Sequence, residues 1–196
     1  MRRLLALVAA AALLAGCGSD EKPRTTGTSG SGSPTTATTS TTTTATATTT
    51  ALVPLVADGY SVQLPGPSTA SQQQATSEVG VIGFTLYSAR DGAGGTFAVA
   101  MTAYPANAVL NLDGAVDGLA NALGGRVLTN RKVRFRGHPA RAVRIAISSD
   151  GTDSTVFART VLVGRKLFQL QYSTAGAELT TPPPIFARVL GTVRFG

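Results

Sequence analysis

The sequence contains no tryptophan, a single cysteine (Cys17) and a single histidine (His138). A lone cysteine excludes an intrachain disulfide framework and any multi-cysteine metal site. A lone histidine likewise excludes a histidine-rich zinc centre. Aromatic residues are 6% of the 196 positions and charged residues 14%. The N-terminal apolar run from Leu4 to Leu14 has 11 residues, well short of the ~20 a helix needs to cross a bilayer. Acids are scarce: 10 Asp and Glu stand against 17 Lys and Arg, for a net charge of +7. Neither a Gly-x-Ser-x-Gly elbow nor a His-Glu-x-x-His pair occurs. No catalytic site is therefore expected, and neither a cofactor nor a metal.

What is present begins with Arg2 and Arg3 ahead of the apolar run, which has the dimensions of a signal-peptide core. Leu14-Ala15-Gly16-Cys17 follows. This resembles the lipobox of bacterial lipoproteins, in which the cysteine thiol takes a diacylglyceryl group and becomes the mature N-terminus. The resemblance implies a signal peptide over 1–16 and a lipid on Cys17. The mature chain would then be extracytoplasmic and held at the cell membrane. Acyl chains contribute about 0.8 kcal/mol per buried methylene, and two or three of them make a durable anchor. Cleavage would remove Arg2 and Arg3 and lower the net charge by two.

Composition shifts abruptly after Cys17. Residues 25–50 hold 15 threonines, with Ser, Gly and Ala supplying most of the rest. Such a stretch buries too little apolar surface to offset its ordering entropy, so residues 17–57 are predicted to be a disordered linker. It serves either as a plain spacer or as an O-glycosylated stalk. Forty residues reach roughly 35 Å as a coil and at most about 140 Å extended.

Residues 58–196 carry the periodicity of one folded domain. Tyr60, Val62 and Leu64 alternate, as do Ile82, Phe84 and Leu86, then Phe97, Val99 and Met101; each set predicts a strand with one buried face. Asp91-Gly92-Ala93-Gly94-Gly95 reads as a hairpin loop, since it opens a strand and lacks the lysine of a phosphate loop. Leu112, Val116, Leu119 and Leu123 form a helical stripe, with Asn111 as N-cap and Gly124-Gly125 as terminator. Val127, Thr129, Arg131, Val133 and Phe135 are predicted to share one strand face. Val143, Ile145 and Ile147, then Phe157, Arg159, Val161 and Val163, then Phe168, Leu170 and Tyr172 complete a meander. Pro182-Pro183-Pro184 opens a last short helix carrying Ile185, Phe186, Val189 and Leu190. The predicted fold class is α+β, a single antiparallel β-sheet flanked by helices.

Several segments together resemble a known pattern: Gly59-Tyr60-Ser61-Val62-Gln63-Leu64-Pro65-Gly66, Asp113-Gly114-Ala115-Val116-Asp117-Gly118-Leu119, Gly137-His138-Pro139-Ala140-Arg141, Val163-Gly164-Arg165-Lys166-Leu167-Phe168-Gln169-Leu170 and Thr192-Val193-Arg194-Phe195. In this order and spacing they look like bacterial exported domains of the PsbP-like family. The resemblance spans nearly all of 58–196 and implies an α/β/α sandwich around an antiparallel sheet. No working residue of the family maps onto this chain.

Two polar features invite chemistry and are read as structural. His138 sits in a Gly-His-Pro turn, and Asp113 and Asp117 share a helix face with no third ligand nearby in sequence. The strongest local signal is basic: Arg126, Arg131, Lys132, Arg134, Arg136, Arg141 and Arg144 fall between Asp117 and Asp150 with no acid among them. Lys132, Arg134 and Arg136 alternate with Val133 and Phe135, so one strand face is predicted to carry the charges, with Arg144 joining from the partner strand. Such a face suits an anionic partner: envelope lipid, wall polymer or an acidic protein. Nucleic acid is not expected outside the cytoplasm, and a monomer is. The leading functional expectation is a lipid-anchored, non-enzymatic binding or accessory module. The alternatives are a carrier of a hydrophobic small molecule or lipid between sheet and helix, and a hydrolase with an unrecognised site.

Overall fold

The computed structural model describes residues 51–77, 80–149 and 151–196. The expected signal peptide at 1–16, Cys17 and the expected linker as far as residue 50 lie outside the described residues. Twelve elements follow one another: β1 (Val53–Ala57), β2 (Tyr60–Leu64), β3 (Thr69–Ser77), β4 (Gly80–Arg90), β5 (Thr96–Ala103), α1 (Leu112–Ala122), β6 (Arg126–Phe135), β7 (His138–Ser149), β8 (Thr152–Val163), β9 (Lys166–Ala175), α2 (Pro184–Thr192) and β10 (Arg194–Phe195). Neither helix is long and apolar enough to cross a membrane.

Seven strands make one antiparallel sheet in the order β3-β4-β5-β9-β8-β7-β6. Helix α1 lies on one face of its β6 end, where Val116, Leu119 and Ala120 pack on Val143, Ile145, Val156 and Ala158. Asn111 caps α1 as expected, its side chain accepting from the Asp113 N–H. At the other end Gly124 (φ 60°) and Gly125 return their N–H groups to Asn121 and Ala120. Helix α2 lies on the opposite face. Its Phe186, Val189 and Leu190 join Phe97, Phe157, Val161, Phe168, Leu170 and Tyr172 in the main core. Burial of such a side chain contributes roughly 1.5–3 kcal/mol.

The sheet differs from the single one expected. β2 leaves it and forms a separate three-stranded sheet, β1-β2-β10, that lies with α2 over the main core. Phe168 of the large sheet meets Tyr60 and Phe195 of the small one, both at 5.2 Å between ring centroids. β1 falls in the stretch assigned to the linker. Its Leu55 and Ala57 pack against the core, while Pro54 is tolerated because β1 is an edge strand. Ordered chain therefore begins ahead of residue 58. β3 carries the sequence Thr-Ala-Ser-Gln-Gln-Gln-Ala-Thr-Ser and shows no apolar alternation, because it is an edge strand held to β4 along its whole length by backbone pairing.

A second correction concerns β6. Its pairing with β7 shifts between Val127 and Thr129. Val127 stands opposite Ile145 and packs under α1, whereas Val133 and Phe135 pack into the core beneath α2. The bulge at Leu128 thus breaks the shared face that strict alternation predicts.

Candidate anion-binding surface

β6 is the last strand of the large sheet, so one of its edges is unpaired. Cross-strand partners share a face, and the registers therefore sort the basic residues. Lys132 stands opposite Arg141, and Arg134 opposite Pro139, on the face of Val143 and Ile145 that carries α1. Lys132 and Arg134 are exposed. Arg141 is turned inward, its side chain 11% exposed, and clamps Asp113 of α1 with Nε to Oδ1 at 2.8 Å and Nη2 to Oδ2 at 2.9 Å. Asn130 donates to the same Oδ1 at 3.0 Å. The Arg141 hydrogen bonds, helped by Asn130 and the Arg141 and Lys132 charges, hold the Asp113 carboxyl down at about 2.

Two of the residues expected on that face are elsewhere. Arg144 stands opposite Thr129 and Phe157, on the α2 side of the sheet, since only even steps from Arg144 share its face. Arg136 lies in the tight turn between β6 and β7 with φ 51°, followed by Gly137 at 83°. Positive φ at both positions suits the right-handed twist of a two-residue hairpin. The turn swings the Arg136 side chain over the Phe135 ring, 5.7 Å from its centroid, and lets it donate to the Gly191 carbonyl of α2. Arg136 is thus a helix cap, joined there by Arg194. The expected quartet reduces to Lys132 and Arg134.

The opposite face gathers a group that the sequence did not single out. Arg131 stands opposite Ala142, Ala142 opposite Arg159, and Arg144 is the next residue of β7 on that face. The Nε atoms of Arg144 and Arg159 are buried and have no hydrogen-bond partner. Burial, then the Arg131 charge, pushes the Arg159 guanidinium below its usual pKa. In the sequence Arg159 is one more residue of an alternating strand; only the pairing of three strands puts it on one row with Arg131, across Ala142.

The remaining sequence candidates have structural settings. His138 is half-buried, its ring edge-on to Phe195 at 5.4 Å. The Asp91 loop is a hairpin turn: its carboxylate accepts from the Ala93 and Gly95 N–H groups at 2.8 and 2.9 Å and from the Tyr172 hydroxyl at 2.6 Å. Burial raises the Asp91 pKa, but these hydrogen bonds outweigh it and the net shift is downward. An open cleft of about 450 Å³ lies at the C-terminal end of α1, between Gly124, Gly125, Ile147 and Ser154, with the Arg126–Glu178 ion pair on its rim.

No family model matches the chain, and no curated protein matches it. Among solved structures it is similar to the cyanobacterial PsbP (CyanoP) of Synechocystis sp. PCC 6803, with a TM-score of 0.53 at 14% identity, over 77% of this chain and 96% of that one. PA94, a protein of unknown function from Pseudomonas aeruginosa, aligns at a TM-score of 0.36 and 11% identity, over 63% of this chain and 82% of that one. The first is a likeness of fold, and with the layered arrangement of α1, sheet and α2 it means that this chain carries a PsbP-like fold.

Proposed function

We propose that the chain is a cell-envelope lipoprotein, anchored through a lipid on Cys17, whose PsbP-like domain is a non-enzymatic module that docks anionic envelope material along the edge strand β6. The anchor rests on the sequence around Cys17. The docking surface rests on one observation: Lys132 and Arg134 stand exposed on an unpaired sheet edge, in a stretch from residue 118 to 149 that contains no acid. Asp113 partly offsets this, but Arg141 already occupies it. Exposed like charges attract an anionic surface over about a Debye length, ~8 Å at physiological salt.

Vesicles of phosphatidylcholine with phosphatidylglycerol are expected to retain the protein at low salt and release it as salt rises. Lys132→Gln with Arg134→Gln should weaken retention at least several-fold. Equal retention of both forms, or none of either, overturns the docking surface. Arg136 stays out of the variant, because its loss would uncap α2. Separately, Cys17→Ser should release the protein from the membrane fraction of producing cells.

A further inference from the structure

The large sheet ends in two outer strands, β3 and β6, and an outer strand offers unpaired backbone groups to any strand that can reach them. β6 is guarded: Arg126, Arg131, Lys132 and Arg134 are spread along it, and the shift after Val127 breaks its regular edge. In the small sheet Pro54 interrupts the edge of β1. β3 has none of these devices. Its nine residues include no charge, no proline and no glycine. They pair with β4 without a break, from Thr69 opposite Ser88 to Ser77 opposite Gly80. In an antiparallel ladder alternate residues turn both N–H and C=O away from the partner strand. On the outer side of β3 no strand among the described residues takes them up. Nine extended residues make an open edge of roughly 30 Å.

The order of residues along β3 says which strand fits it. Thr-Ala-Ser-Gln-Gln-Gln-Ala-Thr-Ser reads nearly alike in both directions about Gln73. We propose that β3 pairs antiparallel with β3 of a second copy of this chain, about a two-fold axis at Gln73, and joins two seven-stranded sheets into one. Gln73 then stands against the partner's Gln73, Gln72 against the partner's Gln74, and Ser71 against the partner's Ala75. A primary amide carries both donors and an acceptor, so three glutamine pairs in succession can hydrogen-bond across the axis. Gln72 and Gln74 are exposed and Gln73 is half-buried; Gln73 now spends its amide on Ser71 of its own strand. Each chain carries a net charge of +7, so two copies repel. Pairing through β3 sets no charge against a like charge, whereas pairing β6 with β6 would oppose its cations. The dimer departs from the monomer expected from the sequence. It leaves both β6 edges free at its outer ends and does not rest on the docking surface proposed above.

The full chain, followed by sedimentation equilibrium over rising concentration, should fit a monomer–dimer equilibrium. Gln73→Lys sets two ammonium groups face to face across the axis, and Gln73→Glu two carboxylates; like charges directly opposite are destabilising. Each variant alone should dimerise at least tenfold more weakly than the parent, and in dilute solution should melt with it. An equal mixture of the two sets ammonium against carboxylate and should recover the dimer as a heterodimer. The exposed Gln74→Lys gives the same weakening if the Gln73 variants melt low. A parent that stays monomeric overturns the proposal. So do variants that dimerise as tightly as the parent, since association through the apolar run at residues 4–14 or any other surface would survive these substitutions. A mixture that stays as weak as its components overturns the two-fold axis at Gln73.

Discussion

Asp91 shows how one carboxylate organises a loop. Its two oxygens take three hydrogen bonds, from Ala93, Gly95 and Tyr172. Gly95 is needed for closeness: a Cβ there would fall 2.1 Å from the Tyr172 hydroxyl. Tyr172→Phe removes a hydrogen bond to a buried charge and should cost about 2 kcal/mol, read as a fall in Tm of roughly 4–8 °C for a domain of this size. Gly95→Ala should cost at least as much, because the added methyl must displace the same hydroxyl. Asp113 makes an acid-side prediction. Its folded pKa of about 2 lies below the ordinary 3.8, so its stabilising contribution is complete above pH 4 and is lost as pH falls toward 2. Thermal melts across pH 2–7 should show this loss in the parent and a flatter acid limb in Asp113→Asn.

Among the elements, β6 departs furthest from its own pattern. The bulge after Val127 lets one strand feed both cores, with Val127 under α1 and Val133 and Phe135 under α2. The approach is close: a Cβ on Gly125 would lie 2.5 Å from Ile145 Cγ2 and 2.8 Å from the Ala146 carbonyl oxygen. Backbone cannot yield as a long side chain can, so Gly125→Ala should destabilise the domain by several degrees in Tm. Gly124→Ala at φ 60° has open space around it and should cost only the backbone strain, about 1 kcal/mol. At the other end of α1, Asn111→Ala should cost roughly 1 kcal/mol through loss of the cap. The helical stripe, its N-cap and its glycine stop were all legible in the sequence because each is a local interaction within a few residues.

At the scale of the molecule, the small sheet extends the core on the α2 side. β1 brings Leu55 and Ala57 against it, with Leu52 just upstream, and β10 brings Phe195 between Phe135 and Phe168. A chain beginning at residue 58 should therefore melt well below the full chain, whereas one beginning at residue 51 should melt close to it. Equal melting of the two shortened chains would show that β1 contributes nothing to the fold. The low-complexity composition of residues 25–50 hid this boundary: Leu52, Val53, Leu55 and Val56 form a short apolar group broken by Pro54, with no period to mark a strand.

The sequence by itself determined the elements whose signals are local: the strands with alternating apolar residues, both helices, and the Gly164-Arg165 hairpin, where Val163 pairs with Lys166. It also determined the excess of positive charge between residues 118 and 149. Tertiary structure alone decided how that charge is distributed. A one-residue bulge reverses every side chain beyond it, and a tight turn redirects Arg136 to a helix end. Pairing of β6, β7 and β8 moves Arg144 away from Lys132 and Arg134 and onto the sheet face that carries Arg131 and Arg159. Face and neighbour in a sheet depend on register across strands, which is set by the summed packing of two cores and not by any local run of residues.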